Sequence, residues 1–347
     1  MVRVVVVGGT GNVGTAVIDA LAADPRVEGI TALARRVPAR TWTGTQFRSV
    51  DVTRDDLRPH VEGADVVIHL AWLFQPTHQP TVTWNVNVGG GTRLFAAVAD
   101  VGVPALIYAS SIGAYSPAPG REVDETWATD SIPTAAYGRE KAYLERVLDT
   151  FEATRTGTRV VRMRMAFVFQ RSAASQQRRL FAGPFLPGSL LKRRVPLLPF
   201  PAGLRLQAVH ASDVAAAFRL AALGNARGAF NLAAEPVIDG QMLASLLGGR
   251  CKAVPPRLVK MALAAAWHAR VAPAEPELFQ LALGLPTMKT DRAREELGWV
   301  PRVGALDALA EAIAGMAEGA GSATAPLAPD SAKRRLGKPR TGTGQNP

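Results

Sequence analysis

The chain has 347 residues, of which 48% are hydrophobic and 20% are charged, so it can bury a large core and is not disordered throughout. Its 40 Lys and Arg against 29 Asp and Glu give a net charge of +11, but no basic helix, zinc-ligand spacing or aromatic RNA-binding motif accompanies that charge, so no nucleic-acid partner is predicted. The absence of an apolar run of membrane-spanning length predicts no membrane span, and the single cysteine, Cys251, predicts a reducing, cytoplasmic location with no disulfide framework and no metal site.

The first half of the chain alternates short β-branched runs with longer helical patterns. The runs predict five strands: Val2–Val7, Gly29–Ala34, Phe47–Val52, Val66–Ala71 and Ala105–Ser110. The other patterns predict three helices and a further extended run: Val13–Ala23, Trp84–Val101, Ala136–Thr154 and Arg159–Phe169. Strands that alternate with helices of this length form a parallel sheet with right-handed crossovers. The predicted fold class is therefore α/β, with a doubly wound parallel Rossmann-type sheet.

The second half has a different character. Residues 171–207 predict a loop-heavy segment, whose basic side chains we interpret as solvated rather than as a site for an acidic substrate: Arg178, Arg179, Lys192, Arg193, Arg194 and Arg205. A helix over Val209–Leu223 and a strand over Gly228–Leu232 follow, and residues 240–318 are mostly helical. The predicted division is a Rossmann domain, a smaller and mainly helical substrate lobe, and a disordered tail: 1–170 with 208–233, 171–207 with 234–318, and 319–347.

The strongest local motif is Gly8-Gly9-Thr10-Gly11-Asn12-Val13-Gly14, directly between the first predicted strand and the first predicted helix. Glycines at its first, fourth and seventh positions allow a sharp turn, a close approach of the backbone to a pyrophosphate, and tight packing of the helix on the strand. The helix N-terminus offers N–H groups and the positive end of its dipole to phosphates. This context predicts a dinucleotide-binding turn that uses Gly8, Thr10, Gly11, Asn12, Val13 and Gly14.

The end of the second strand indicates which dinucleotide is bound. Twenty positions after the last of these glycines, where NAD-binding folds carry an acidic residue, the chain has Ala34, followed by Arg35 and Arg36. Two guanidinium groups and no carboxylate favour the 2′-phosphate of NADP, so NADP is predicted over NAD. In the alternative, both arginines are solvated surface residues. Asp51 and Val52, at the end of the third strand, are predicted to contact the adenine.

Three further residues predict proton-transfer chemistry. Tyr137 and Lys141 are four positions apart on a predicted helix and share one face. A phenol has an ordinary pKa of about 10, and a nearby ammonium favours the ionised form, so this tyrosine can exchange a proton at neutral pH. Ser111 follows the fifth strand, at the edge where open parallel sheets bind ligands. We therefore predict that Ser111, Tyr137 and Lys141 are catalytic, and that Lys141 also holds the nicotinamide ribose of the cofactor.

The glycine turn, these three residues and the order of strands resemble the extended short-chain dehydrogenase/reductase family, also called the NAD(P)-dependent epimerase/dehydratase family. Other segments resemble motifs of that family, in the family's order: His69-Leu-Ala71-Trp72, Asn87-Val-Gly-Gly90, Arg164-Met-Ala-Phe, Val209-His210-Ala-Ser-Asp213-Val-Ala, Asn231-Leu232-Ala233 and Leu297-Gly298-Trp299-Val-Pro301. The resemblance covers residues 2–315. It implies that Leu70, Ala71, Asn87 and Tyr137 also belong to the cofactor-binding site.

The resemblance implies an NAD(P)-dependent oxidoreductase that transfers a hydride at a carbinol or carbonyl carbon of a small molecule. Two outcomes stay open, namely net redox conversion of the substrate and transient oxidation within the cycle of a sugar-nucleotide epimerase. Sugar-nucleotide epimerases of the family carry an Asn soon after the sixth strand, and residues 166–169 contain none, which weighs against a UDP-sugar. A non-catalytic NADP(H)-binding protein is a further alternative, against which the Tyr137 and Lys141 pair argues. A homodimer is one assembly that the resemblance allows.

Overall fold

The computed structural model describes residues 1–39, 41–74, 78–181, 194–270 and 275–329. Within these ranges the strands are β1 (Val2–Val7), β2 (Val27–Ala34), β3 (Thr45–Ser49), β4 (Val66–His69), β5 (Ala105–Ser111), β6 (Glu122–Val123), β7 (Arg159–Met165), β8 (Phe167–Phe169), β9 (Leu197–Pro201), β10 (Leu206–His210), β11 (Gly228–Leu232), β12 (Ala234–Ile238), β13 (Arg250–Val254) and β14 (Thr287–Met288).

The helices are α1 (Asn12–Ala22), α2 (Arg58–Val61), α3 (Pro80–Trp84), α4 (Gly90–Val101), α5 (Ala136–Thr154), α6 (Ala174–Phe181), α7 (Ala211–Leu223), α8 (Gly240–Leu246), α9 (Pro256–His268), α10 (Pro276–Gly284), α11 (Asp291–Leu297) and α12 (Ala305–Glu318). A π-helical turn over Asn85–Gly89 joins α3 to α4, so the single helix predicted over Trp84–Val101 is in fact three consecutive pieces. Among the described residues, no helix is long and apolar enough to cross a bilayer.

The central sheet has seven strands in the order β11-β7-β5-β4-β1-β2-β3, and every neighbouring pair is parallel. The order of strands reverses between the neighbouring strands β1 and β4. The chain adds β2 and β3 outward from β1, and then β5, β7 and β11 outward from β4 on the other side. The predicted doubly wound, Rossmann-type sheet is therefore confirmed. In such a sheet the crevice at the carboxyl ends of the two strands flanking the reversal is where ligands bind.

The hydrophobic core lies on both faces of this sheet. On β1, Val4 and Val6 belong to one buried cluster and Val5 and Val7 to the other, because successive side chains of a strand point to opposite faces. Helices α1 and α7 cover the first face, and α4 and α5 cover the second. A strand covered on both faces reads as a continuous apolar run, which is why β1 was predictable to the residue.

The second half of the chain contains strands that the pattern does not reveal. The run Arg159–Phe169 divides at Ala166, where β7 stays in the central sheet and β8 joins a small sheet with β10 and β12. Val209, predicted as helical, lies in β10. Residues 171–207, predicted as loop, contain α6 and β9, and β9 pairs with β13 in a second small sheet. Short strands in separate sheets bury little surface each, so their hydrophobic pattern is weak.

The structure also differs from the prediction at two further places, which are the basic segment over residues 171–207 and the tail that begins at residue 319. Arg178 is buried, and the Arg179 guanidinium donates hydrogen bonds to backbone carbonyls near the C-terminus, so neither side chain is solvated. Residues 319–329 pack on the protein body, with Thr324 and Leu327 fully buried. Lys192, Arg193 and residues 330–347 lie outside the described residues.

Candidate active site

The glycine turn connects β1 to α1 at the crevice. Gly8 has a φ of +91°, and a Cβ on it would lie 2.5 Å from the backbone nitrogen of Ala71, which follows β4. A Cβ on Gly14 would lie 2.3 Å from the carbonyl oxygen of Gly8. Glycine is required at both positions because the turn, the end of β4 and the first turn of α1 are in direct contact. Leu70 and Ala71 are thus placed against the turn, and their predicted contact with the cofactor stays a prediction.

Gly11 is different, because the protein itself does not require glycine there. Its φ is −82°, and the atom nearest to a Cβ on it is the Gly8 carbonyl oxygen at 3.6 Å, an ordinary van der Waals distance. Among the described residues, no acidic side chain and no side-chain cap occupies the first turn of α1, so its N–H groups are available to an anion. Open space in front of a free helix N-terminus fits the diphosphate of a dinucleotide.

Asn12 anchors a neighbouring loop to the turn. Its side-chain amide donates to the carbonyl oxygen of Val168 over 3.0 Å. The amide of Gln170 donates to the backbone oxygen of Asn12 at 2.7 Å and to its side-chain oxygen at 2.8 Å. The side chain of Asn12 therefore binds protein, while Val13 beside it is half-buried in the same turn. Sequence reasoning missed Gln170 because it follows no motif.

Arg35 and Arg36 lie just beyond β2, as predicted for a ribose-phosphate site. Both are exposed, and neither guanidinium forms an ion pair with a described residue. Arg36 lines an open cleft together with the residues that follow it. The arrangement leaves both cations free to bind a phosphate.

Asp51 and Val52 are committed mainly to their own turn. Thr53 donates to one Asp51 oxygen from its backbone N–H at 3.0 Å and from its hydroxyl at 2.7 Å. Burial opposes ionisation of Asp51, but the hydrogen bonds from Thr53 and nearby guanidinium charges outweigh it, and the pKa of this carboxyl is lowered. Val52 is buried against Gly90 at the start of α4. The predicted contact of these residues with an adenine stays a prediction.

Asn87 was predicted to bind the cofactor, but its side chain binds protein. It is 1% exposed, accepts a hydrogen bond from the Leu73 N–H at 2.7 Å and donates to a Glu140 carboxylate oxygen at 2.7 Å. Thr83 donates to the other oxygen of Glu140. Asn87 therefore joins the loop after β4 to α5, and its predicted contact with the cofactor stays a prediction.

Ser111 and Tyr137 meet at the carboxyl edge of the sheet. The Gly113 N–H donates to the Ser111 Oγ at 3.0 Å, and a Cβ on Gly113 would lie 3.4 Å from that oxygen and 2.9 Å from the Tyr137 ring, so both side chains border this glycine. Burial raises the pKa of Tyr137 to about 12, and the neighbouring Ser111 hydroxyl only partly offsets this. We had expected a nearby ammonium to lower this pKa. In the protein without a ligand, desolvation is the larger effect and the phenol stays protonated.

Lys141 lies one turn further along α5 and is 4% exposed. Its ammonium donates to the carbonyl oxygen of Ala109 at 2.6 Å and lies 3.4 Å from the centroid of the Trp72 ring. Burial lowers the pKa of Lys141 well below its usual range, against the opposing charges of Glu145 and Glu140. The ammonium is thus held by a carbonyl and an aromatic face.

Trp72 links the two predicted catalytic residues of α5. Its ring stands edge-on to Tyr137 with 5.8 Å between centroids, while its face covers the ammonium of Lys141. Phe74 also packs edge-on against Tyr137, at 4.7 Å. The structure therefore brings Ser111, Tyr137 and Lys141 into one cluster around Trp72. Sequence reasoning included Trp72 only as part of a motif, because an aromatic residue at a strand end is ordinarily read as packing.

Several polar atoms in this cluster have no protein partner. Both ring nitrogens of His69, the indole N–H of Trp72 and the hydroxyl of Tyr108 are buried and make no hydrogen bond within the described part of the chain. Burial, assisted by the charge of Lys141, lowers the pKa of His69 to about 3. Buried polar groups are normally paired, so these unpaired atoms are exceptions that cost free energy in the cluster.

The next turn of α5 carries a second polar cluster, in which a buried carboxylate is paired with neighbouring side chains. Glu145 is fully buried and pairs with Arg164 through two contacts of 3.0 Å and with Arg162 at 3.1 Å. Ser110 donates to the same carboxylate at 2.5 Å. Burial raises the pKa of Glu145, but the two guanidinium groups and Ser110 outweigh it and hold the pKa at about 2.

Residues 4–233 match the model of a family described as the NAD dependent epimerase/dehydratase family. The chain belongs to this family. A curated relative, the L-arabinose 1-dehydrogenase (NAD(P)(+)) of Haloferax volcanii, is 30% identical in an alignment 181 residues long, which covers 48% of this chain and 68% of that protein. The predicted family is confirmed, and with it an enzyme of the oxidoreductase or epimerase type that binds NAD or NADP.

Solved structures of the same architecture cover almost the whole chain. MoeE5 in complex with UDP-glucuronic acid and NAD has a TM-score of 0.69 at 22% identity, over 91% of this chain and 99% of that one. The UDP-glucose 4-epimerase of Thermus thermophilus with NAD has a TM-score of 0.66 at 21% identity, over 90% and 98%. A short-chain dehydrogenase/reductase superfamily protein of Agrobacterium tumefaciens with bound NAD gives 0.68 at 20%, over 91% and 97%. At these identities the likeness establishes the fold.

Proposed function

We propose that this protein catalyses hydride transfer at a carbinol or carbonyl carbon of a small molecule, with Tyr137, Ser111 and Lys141 as its catalytic residues. The observation that carries this proposal is that Tyr137 and Ser111 both border Gly113 at the carboxyl edge of the sheet, at 2.9 Å and 3.4 Å from the position of a Cβ on that residue. The loop after β4 connects this pair to the glycine turn, since Trp72 packs on Tyr137 and Ala71 contacts Gly8.

Each residue has a distinct role in the proposed reaction. A bound nicotinamide supplies or takes up the hydride at the reacting carbon. The phenol of Tyr137 is protonated in the ligand-free protein, which suits it to donate a proton to a substrate carbonyl oxygen, and it takes that proton back in the reverse direction. The Ser111 hydroxyl orients the same oxygen. We propose that Lys141 binds the ribose hydroxyls of the cofactor.

The proposed cofactor is NADP in preference to NAD. Arg35 and Arg36 are exposed and without ion-pair partners among the described residues, which supports a site for the 2′-phosphate. The diphosphate would be held by the first turn of α1 behind Gly11. Tighter binding of NADPH than of NADH in isothermal titration calorimetry is expected, and the reverse order would contradict the role of the arginines.

The proposed substrate is a small hydroxylated molecule such as a free aldose, in line with the relative that oxidises L-arabinose. Residues 166–169 contain no Asn for a nucleotide diphosphate, which disfavours a sugar nucleotide. An epimerase that oxidises its substrate transiently is the second candidate, and product formed without net cofactor consumption would identify it. A cytoplasmic location, a homodimer and the division into a sheet domain and a substrate lobe stay predictions.

The test of the catalytic assignment is Tyr137→Phe, assayed with NADP(H) and NAD(H) against free aldoses, simple carbonyl compounds and UDP-sugars. We expect turnover to fall by at least about 10²-fold, because the proton-transferring hydroxyl is removed. Cofactor affinity should stay within about twofold, since the ring still packs on Trp72 and Phe74. Tyr143→Phe on the same helix is the control, because that side chain is 46% exposed. Equal turnover in both variants would refute the assignment.

A further inference from the structure

The segment that follows α12 lies against the glycine turn, although it is outside the part of the chain that the family model matches. We call residues 319–329 the C-terminal strap. The backbone oxygen of Ala320 accepts a hydrogen bond from the Ser175 N–H at 3.0 Å, and the Ser322 N–H donates to the Leu327 oxygen at 2.8 Å. The Leu327 side chain is fully buried. The strap is therefore a folded element with its own anchor in the protein.

Helix α6 holds the far end of the strap. The Arg179 guanidinium donates to the carbonyl oxygens of Pro326 at 3.0 Å and Ala328 at 3.2 Å. The same helix begins a few residues after Gln170, which binds Asn12 in the glycine turn. The strap and the loop after β8 are thus both connected to α6, and both contact the glycine turn.

Thr324 makes the contact with the turn itself. Its hydroxyl donates to the backbone oxygen of Thr10 at 2.8 Å, and its side chain is 1% exposed. Thr10 stands between Gly9 and Gly11 in the turn. The strap uses a carbonyl oxygen there, so it leaves the N–H groups of the first turn of α1 free for phosphates. The contact holds the turn in place without occupying its anion-binding groups.

An open cleft of about 590 Å³ lies between the strap and the end of β2. Residues 36–39, which include Arg36, form one wall, and strap residues 322–325 with Ala328 and Pro329 form the other. The volume lies within the range of small-molecule sites. The cleft therefore lies between Arg36, which is proposed to bind the ribose phosphate, and the C-terminal strap, which contacts the glycine turn.

We infer that the C-terminal strap is part of the cofactor site: it fixes the glycine turn through Thr324 and forms the outer wall for the adenosine end of the dinucleotide. This inference rests on the proposed NAD(P) site and adds to it a specificity element contributed from outside the family core. The strap completes the site, and does not block it, because the cleft is open and the anion-binding N–H groups are free.

The experiment compares three chains, which are the full-length protein, a chain ending at 329 and a chain ending at 319. Isothermal titration calorimetry with ADP, NADPH and NADH measures the affinity of each. ADP reports on the adenosine end because it carries no nicotinamide. We expect the chain ending at 329 to match the full-length protein, and the chain ending at 319 to bind all three ligands at least about tenfold more weakly.

Point variants in the full-length chain keep the test decisive if the shortest chain does not fold. Thr324→Val retains the shape of the side chain and removes its hydroxyl, so affinity for ADP should fall about threefold or more, while Thr324→Ser should retain it. Unchanged or tighter binding in both the shortest chain and Thr324→Val would overturn the inference, and tighter binding would mean that the strap blocks the site. If the full-length protein binds none of the three ligands, the proposed cofactor site itself fails, and the inference fails with it.

Discussion

Two polar clusters lie side by side under helix α5, and they differ in how their polar groups are paired. In the paired cluster Glu145 binds two buried guanidinium groups and a serine hydroxyl, and Arg162 also pairs with Asp149 and Glu152, so each charge has an opposite charge beside it. The open cluster around Trp72 contains Tyr137 and Lys141 together with buried nitrogens that have no partner among the described residues.

The clusters differ in how their charges are held. In the paired cluster a buried charge is tolerated because opposite charges surround it, as Arg162 and Arg164 surround Glu145, while the ammonium of Lys141 is held by a carbonyl oxygen and an aromatic ring. An unpaired buried polar atom costs free energy, and within the described ranges both clusters contain such atoms, on His69 in the open cluster and at Nε of Arg162 in the paired one. Adjacent residues of β5 belong to different clusters, since Ser110 donates to Glu145 and Ser111 lies beside Gly113 with Tyr137.

The largest expected effect concerns the paired cluster. Glu145→Gln should lower the free energy of unfolding by about 3–5 kcal/mol, because two buried guanidinium groups lose their shared countercharge. Urea denaturation followed by circular dichroism measures this change. Asp149→Asn is the control, since Asp149 also pairs with Arg162 but its side chain is 48% exposed, and its loss should cost less than about 1 kcal/mol. Similar losses in the two variants would remove the contrast between the clusters.

The two neighbouring serines test the division most directly. Ser111→Ala should reduce turnover by about 10²-fold, as expected for removal of one hydrogen-bond donor at the reacting oxygen. Ser110→Ala should leave turnover unchanged and lower the free energy of unfolding by about 1.5–3 kcal/mol, because a buried bond to a carboxylate is lost. Steady-state kinetics and urea denaturation of both variants decide the matter. A loss of turnover in Ser110→Ala of the same size as in Ser111→Ala would contradict the assignment.

The smallest effect is a dependence of stability on pH that arises from His69 in the open cluster. Its pKa is lowered to about 3, chiefly by burial, so below pH 6.5 the unfolded chain binds a proton that the folded protein does not bind. Stability from this group is complete above pH 6.5 and is lost as the pH falls toward 3. In His69→Phe, the decrease in unfolding free energy between about pH 6.5 and pH 4.5 should be smaller by about 2 kcal/mol. Parallel pH profiles of the two proteins would show that His69 titrates normally.

A sequence-based prediction was accurate where its pattern depends on residues adjacent in the chain. Strand β1 and helix α5 were predicted to the residue, because continuous apolar burial and helical periodicity are properties of adjacent residues. The glycine turn was also predictable, since its neighbours along the chain define it. In contrast, the division of the run 159–169 between two sheets depends on partner strands that lie far away in sequence.

The features of the site also divide into those that depend on local patterns and those that depend on long-range packing. The Rossmann-type fold, the family and the positions of Tyr137 and Lys141 on one helix face were predictable from the residues, because periodicity and spacing are encoded locally. The dominance of burial in the pKa of Tyr137 and the packing of Trp72 on Lys141 are evident in the folded protein alone. The same holds for the segment of disorder-like composition that is buried through Thr324 against a turn 314 residues earlier. Desolvation and long-range contacts depend on what the rest of the chain packs around a residue, and no local pattern records that.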